Sequence, residues 1–129
     1  MTEHATFRVS CKAILYNQDK TKVLLAEYGE GDFGLPGGHM EYDATPESAV
    51  NREISEELGI QNVQLTPSSF IKHRDGKIIL FFIGSIHEET NLAIDNREMS
   101  NARWTLISDI RTHKVKVLDY QDEIVKNSI

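Results

Sequence analysis

The chain has one cysteine, Cys11, among its 129 residues, so no disulfide can form within it and a reducing compartment is expected. It has no apolar run near the roughly 20 residues that a membrane helix needs, and residues 1–10 mix acidic, basic and polar side chains. We therefore expect no membrane partner and no signal peptide, and we predict a cytoplasmic location. Basic residues are the minority, 14 against 20 acidic ones, which argues against duplex nucleic acid as a partner.

What the chain does have is the length and composition of one globular domain. With 129 residues, 40% of them hydrophobic and 26% charged, it can bury one core and has no room for two. We therefore predict a single domain over residues 1–129.

Local patterns predict the order of the elements. Alternating apolar and polar residues predict a strand from Phe7 to Leu15. Thr45-Pro46-Glu47 combines an N-cap, a first-turn proline and an acid at a helix start, and Gly59 is a typical helix end. The run Ile78–Ile83 lacks alternation, which predicts a strand buried on both faces. The other expected elements are a strand over 22–28, a glycine-rich loop over 29–34, strands over 63–74 and 77–87 joined at Asp75-Gly76, an exposed loop over 88–100, a strand over 102–106, a turn over 108–110, and a C-terminal helix with Val117, Tyr120, Ile124 and Val125.

One stretch combines a glycine pair, Gly37-Gly38, with the predicted helix that carries Glu53, Glu56 and Glu57. At about 100° per residue, the three carboxylates share one helix face and repel one another unless a positive charge lies among them. Clustered oxygen ligands suit a hard cation such as Mg²⁺ or Mn²⁺. Glu-x-x-Glu-Glu by itself is typical of a solvated acidic surface, but the glycine pair and the neighbouring Arg52 favour a metal site.

This spacing resembles the signature of the Nudix hydrolases: a glycine, five residues, a glutamate, seven residues, then Arg-Glu-U-x-Glu-Glu-x-Gly-U, where U is bulky and apolar. Counted from Gly38, the chain departs from it at one specified position, where Ala44 replaces the first glutamate. The matching residues are Arg52, Glu53, Ile54, Glu56, Glu57, Gly59 and Ile60.

The resemblance implies an α/β fold, a three-layer α/β/α sandwich with a mixed sheet. It implies Glu53, Glu56 and Glu57 as ligands of Mg²⁺ or Mn²⁺, completed by the carbonyl of Gly38. Arg52 would orient and partly neutralise these glutamates. The function of the glutamate missing at Ala44 is then absent, or is displaced to Glu41, Asp43 or Glu47.

The reaction implied is the attack of water on phosphorus in a diphosphate linkage, with a glutamate accepting the proton. Glu53 and Glu98, an acid in the loop before the last strand, are alternative general bases. Asp119 is a weaker candidate for contact with the nucleobase of a substrate. The candidate catalytic residues are Arg52, Glu53, Glu56 and Glu98.

We therefore expect a Mg²⁺-dependent hydrolase of nucleoside diphosphate derivatives, or more narrowly a MutT-like nucleoside triphosphate pyrophosphohydrolase. Its partner would be a small nucleotide or another diphosphate. A binding module with little or no turnover is an alternative that Ala44 favours. An isomerase of a small diphosphate is a third possibility, which Cys11 disfavours because it lies in a strand with core-like alternation.

Overall fold

The computed structural model describes residues 3–29, 31–73, 75–97, 99–117 and 120–129, without the side chains of residues 72 and 73. The helices and strands follow the predicted order, with two short strands added around the glycine pair and a short helix in place of the turn predicted over 108–110. They are β1 (Arg8–Tyr16), β2 (Lys22–Glu27), β3 (Phe33–Gly34), β4 (Gly37–His39), α1 (Pro46–Leu58), β5 (Thr66–His73), β6 (Lys77–Ser85), β7 (Asn101–Leu106), α2 (Ile107–Arg111) and α3 (Gln121–Lys126).

The strands form one mixed sheet in which β1 is the central element. Strand β1 runs parallel to β6 from Arg8↔Lys77 to Tyr16↔Ser85. On its other edge it pairs antiparallel with β4 near its start and with β2 at its end. Strand β2 continues the sheet through β3 and β7, and β5 lies beyond β6 at the opposite side. A mixed sheet was the expectation, and it is confirmed.

Both faces of this sheet are covered. From β1, the side chains of Cys11, Ala13 and Leu15 pack with the buried face of α1. The alternate residues Ile14 and Tyr16 join a second buried cluster that contains residues of α2 and α3. The predicted three-layer α/β/α sandwich is therefore confirmed.

Helix α1 has the ends that its sequence predicts. The Thr45 side chain accepts a hydrogen bond from the backbone N–H of Ser48, whose side chain accepts one from the backbone N–H of Thr45. Gly59 ends the helix at φ 71°, and its N–H donates to the carbonyl of Ser55. The stripe Val50, Ile54 and Leu58 is fully buried. Because this stripe packs on the sheet, it fixes the rotation of α1 and the direction in which its glutamates point.

The segment over 88–100 differs from the expectation of an exposed loop. It lacks regular structure in its described residues, but Met99 is fully buried and Leu92 and Ile94 pack beside the same core cluster. The N–H of Ala93 donates to the carbonyl of Leu58, which holds the segment against the end of α1. Its apolar residues are too widely spaced to show periodicity, so their burial depends on contacts distant in sequence. Glu98 lies outside the described residues.

The C-terminal helix is shorter than expected. Val117 lies before it and forms a parallel bridge with Phe33, while α3 begins at Gln121 and buries Ile124. Helical spacing that included Val117 was therefore misleading, since a buried apolar residue fits either structure. Asp119 lies outside the described residues. Within the described ranges, none of the helices has the length and apolar character needed to cross a membrane.

The buried thiol of Cys11 provides a test of this packing. Burial, and secondarily the charge of Glu47, raises the pKa of the thiol from 9.0 to about 11. We predict that a thiol reagent at pH 8 modifies the native protein far more slowly than the protein unfolded in guanidinium. Because the pKa of Cys11 is higher in the folded than in the unfolded protein, its neutral thiol favours the folded state. This contribution to the free energy of unfolding is complete below pH 9 and is lost as the pH rises through 11. Equal reaction rates in the two states would contradict the burial of Cys11.

Candidate metal and diphosphate site

The candidate site lies where β4 meets α1. Strand β4 pairs with β1 at Cys11↔Gly38 and Lys12↔Gly37, which brings the glycine backbone against the glutamate-bearing face of the helix. Gly37 has φ 141°, and a Cβ at this position would lie 2.1 Å from the carbonyl oxygen of Cys11. Only glycine fits there without moving the central strand.

Glu57 is held by strand β4. The backbone N–H of Gly37 donates a 2.9 Å hydrogen bond to Oε1 of Glu57. The residue is 4% exposed, so it presents little surface to solvent. A buried carboxylate requires hydrogen bonds or a cation to offset its desolvation, and this backbone donor fixes one of its oxygens.

Glu53 lies against the second glycine. A Cβ on Gly38 would lie 2.7 Å from the carboxyl carbon of Glu53 and 2.8 and 3.0 Å from its two oxygens. The missing side chain at Gly38 therefore makes the space in which this carboxylate sits. The backbone of Gly38 and the carboxylate of Glu53 therefore lie side by side.

Arg52 contacts two of the three glutamates. Its guanidinium lies 3.2 Å from Oε1 of Glu53 and 3.9 Å from Oε1 of Glu56. A further ion pair, at 3.3 Å, joins it to Glu41. The hydrogen bond with Glu53, followed by the charges of Glu41, Glu53 and Glu56, raises the pKa of Arg52, so the guanidinium stays charged.

A cleft of about 270 Å³ is lined by all three glutamates together with Asp95 and Arg97. Asp95, which the 88–100 segment brings to the site, is not among the residues that the sequence predicted. The N–H of Asp95 donates to the carbonyl of Glu57, and its carboxylate accepts bonds of 2.7–3.1 Å from the Arg97 side chain. These bonds hold the pKa of Asp95 below its usual value. The acidic side chain of Asp95 is a signal for a site residue, but local sequence patterns do not predict its contact with α1.

The donors in this cleft fit a hard divalent cation by their chemistry, because its described lining carries four carboxylates and neither sulfur nor imidazole. Among the described residues, no three His, Cys, Asp or Glu side chains are already arranged as a ligand set. The guanidinium of Arg52 contacts Glu53, and that of Arg97 contacts Asp95. Positive charge thus already lies among these anions, supplied by two arginines.

Ala44 stands where the motif has its first glutamate. Ala44 is half-buried and packs beside the α1 core cluster. Of the three acids considered as replacements, Glu41 is the one that forms an ion pair with Arg52 within the described structure. Both partners are partly exposed, at 35% and 68%, so the pair contributes little to stability.

Comparison with known proteins identifies the family of this chain. The family model of the NUDIX domain matches residues 6–126. A segment of 53 residues is 38% identical to a MutT-like protein of Streptomyces ambofaciens, and it covers 41% of this chain and 34% of that protein. The chain therefore belongs to the Nudix hydrolase family, as the glycine and glutamate spacing predicted.

Solved structures share the fold at low sequence identity. A structure from a study of MutT from Aliivibrio salmonicida and Vibrio cholerae has a TM-score of 0.77 and 20% identity, over 96% of this chain and 98% of the other. The MutT Nudix hydrolase from Burkholderia pseudomallei gives 0.72 and 23%, over 92% and 95%. The Nudix domain of Shewanella oneidensis NrtR, complexed with ADP ribose, gives 0.76 and 17%, over 98% and 88%.

We predict different effects of an alanine substitution at each of the two adjacent glycines. Gly38→Ala meets only the far end of a flexible side chain. We expect it to cost less than about 1 kcal/mol of stability while displacing the Glu53 carboxylate and weakening Mn²⁺ binding. Gly37→Ala meets the backbone of β1 at a strained φ, and should destabilise by more than about 2 kcal/mol.

Thermal unfolding and calorimetric titration with Mn²⁺ measure both effects. If Gly38→Ala bound Mn²⁺ as tightly as the unmodified protein, Glu53 would have no part in a metal site.

Proposed function

We propose that the chain is a divalent-cation-dependent hydrolase of the diphosphate linkage in nucleoside diphosphate derivatives. The observation that carries this proposal is the cleft in which Glu53, Glu56 and Glu57 converge beside the Gly37-Gly38 backbone. It has room for a diphosphate, and its acidic lining requires that such an anion arrive with cations.

The proposed ligands of Mg²⁺ or Mn²⁺ are Glu53, Glu56 and Glu57, with the carbonyl of Gly38. Bound there, the ion would neutralise phosphate oxygens and increase the acidity of the attacking water. Asp95 lines the same cleft and adds a further carboxylate to this set.

The proposed roles of the remaining groups follow from their positions. Attack of water forms one P–O bond and breaks the bridging P–O bond, which releases two phosphate products. We propose Glu53, which is 14% exposed, as the group that accepts the proton of the water. Glu98 stays the alternative base. Arg52 holds Glu53 in place through its 3.2 Å contact.

The relatives support a nucleotide derivative as substrate. The named similarities include MutT proteins and a domain complexed with ADP ribose. Hydrolysis of a nucleoside triphosphate and hydrolysis of another diphosphate derivative are both compatible with the cleft. A single domain over 1–129, a cytoplasmic location and the absence of duplex nucleic acid and membrane partners stay predictions.

The two alternatives are less well supported. A binding module without turnover is opposed by the intact Arg-Glu-x-x-Glu-Glu, in which Glu57 is buried and Glu53 is paired with Arg52. An isomerase that used Cys11 would need an accessible thiol, whereas this side chain is fully buried and its pKa is raised to about 11.

Removal of the divalent cation provides the direct test. Purified protein should release phosphate or a nucleoside monophosphate from a panel of nucleotides only when Mg²⁺ or Mn²⁺ is present, because the clustered glutamates repel an anionic substrate without it. Excess chelator should abolish the activity, and added Mg²⁺ should restore it. Full activity in chelator would exclude the proposed mechanism.

The substitution Glu57→Gln separates a ligand from surface charge. Glutamine keeps the size of the side chain and an oxygen that can accept the Gly37 N–H, so the fold should persist. The rate should fall by at least ~10²-fold because the charge is lost. Glu47→Gln, an exposed glutamate in the first turn of the same helix, is the matched control and should retain the rate. Equal rates for both variants would show that Glu57 has no role in the site.

A further inference from the structure

One wall of the acidic cleft does not belong to α1. Glu53, Glu56 and Glu57 line the cleft from the helix, and Asp95 and Arg97 line it from the segment over 88–100. The backbone N–H of Asp95 donates to the carbonyl of Glu57 at 3.1 Å, which fixes this wall against the end of the helix. Arg97 is the single cation in the described lining, so it is the lining group that attracts an anion.

The two carboxylate oxygens of Asp95 are held differently. Oδ1 accepts hydrogen bonds from the backbone N–H and from Nε of Arg97, both at 3.1 Å. Oδ2 accepts from Nε at 3.1 Å and from Nη2 at 2.7 Å, so these bonds come from the guanidinium. Rotation of the Arg97 side chain would therefore leave Oδ1 bonded to the backbone and release Oδ2.

The ion pair between these two residues is easily broken. The Arg97 side chain is 87% exposed and that of Asp95 is 29% exposed, and an ion pair at such exposure adds little to stability. A divalent cation among the four carboxylates of the cleft would repel the guanidinium and would attract Oδ2 with twice the charge of an arginine. Binding of the cation therefore favours a change of partner at Asp95.

The guanidinium remains close to the cleft after such a change. Arg97 follows Asp95 by two residues, and Asp95 is bonded through its backbone to Glu57. The planar fork of an arginine matches two oxygens of one phosphate group. Once a cation is bound, the cleft no longer repels an anion, so a phosphate becomes a suitable new partner for Arg97.

We propose that Arg97 is a substrate-binding residue that changes partner: it pairs with Asp95 in the cation-free protein, and with a phosphate group of the substrate after the cation has taken Oδ2 of Asp95. This inference rests on the proposed function and adds an order of binding to it, the cation first and the substrate second. Arg52 has a different role, because it contacts Glu53 and Glu56 on its own helix.

The Nε–H group of Arg97 reports its partner directly. Its ¹⁵N–¹H NMR signal can be assigned from its loss in Arg97→Lys. It can then be followed as Mg²⁺ is added, and afterwards methylenediphosphonate, a diphosphate analogue that contains no nucleoside. We expect Mg²⁺ alone to shift the signal because the bonds to Asp95 are lost, and the analogue to shift it a second time. A signal that stays in place while the cation binds would overturn the proposal.

Two single substitutions distinguish the change of partner from a fixed structural pair. Asp95→Asn should weaken Mn²⁺ binding about tenfold or more. Arg97→Met should strengthen Mn²⁺ binding about twofold to fivefold because a repelling charge is gone, and should weaken binding of methylenediphosphonate at least about tenfold. Both variants break the same ion pair. Mn²⁺ affinities that change in the same direction would therefore contradict the proposal.

The variant Arg97→Lys distinguishes a phosphate contact from general attraction between charges. Lysine keeps the charge but lacks the fork, so methylenediphosphonate should bind at least about threefold more weakly. Unchanged binding would overturn the direct contact. Arg8→Met is the matched control, because Arg8 forms an exposed ion pair with Asp75 at 3.4 Å and does not line the cleft. It should alter neither affinity, and circular dichroism checks that each variant is folded.

Electron paramagnetic resonance of Mn²⁺, which measures the free ion, separates this inference from the proposed function. A protein that binds no Mn²⁺ would refute both. A protein that binds Mn²⁺ and hydrolyses nucleotides, but whose Arg97 signal does not respond, would uphold the function and refute the change of partner. The two successive shifts of the Arg97 signal without hydrolysis would uphold the change of partner and refute the hydrolysis.

Discussion

The buried carboxylate of Glu57 is the constraint on which the site depends. A carboxylate with 4% exposure is costly unless it is hydrogen-bonded or meets a cation, and the N–H of Gly37 meets part of that need at 2.9 Å. That donor exists because β4 pairs closely with β1, which in turn requires glycine at position 37. The rotation of α1, set by its buried stripe, then aims Glu53 at Gly38. One hydrogen bond thus connects the core, the strand and the cleft.

Charge balance around the cleft follows from the same geometry. The glutamates of α1 cannot separate because the helix fixes them, so their repulsion must be offset by positive charge. In the structure, Arg52 supplies it to Glu53 and Glu56 from a side chain that is 35% exposed, and Arg97, which is 87% exposed, pairs with Asp95 in the same cleft. Ion pairs at such exposure are weak, so a divalent cation can replace them at small cost. The arginines are therefore suited to holding the carboxylates without competing strongly with a metal.

The sequence predicted those parts of the fold that local patterns determine. The ends of α1 were predictable because Thr45, Pro46 and Gly59 act on adjacent backbone groups. Three site glutamates were predictable because a helix converts their spacing into one face. Asp95 was missed because its position depends on a long segment that contacts α1 only after folding. For the same reason the burial of Met99 left no periodic signal, and the bridge of Val117 was mistaken for part of a helical spacing.

The two sides of α1 differ in a way that the motif alone does not describe. The motif specifies Glu53, Glu56 and Glu57 and therefore the chemistry of the cleft, but it leaves positions 51 and 55 open. In this chain those positions carry Asn51 and Ser55, which are partly buried. Family membership accounts for the glutamates of the cleft, in which we propose that a diphosphate binds. If the cleft binds a diphosphate as proposed, residues between and beyond the motif positions must determine which attached group is accepted.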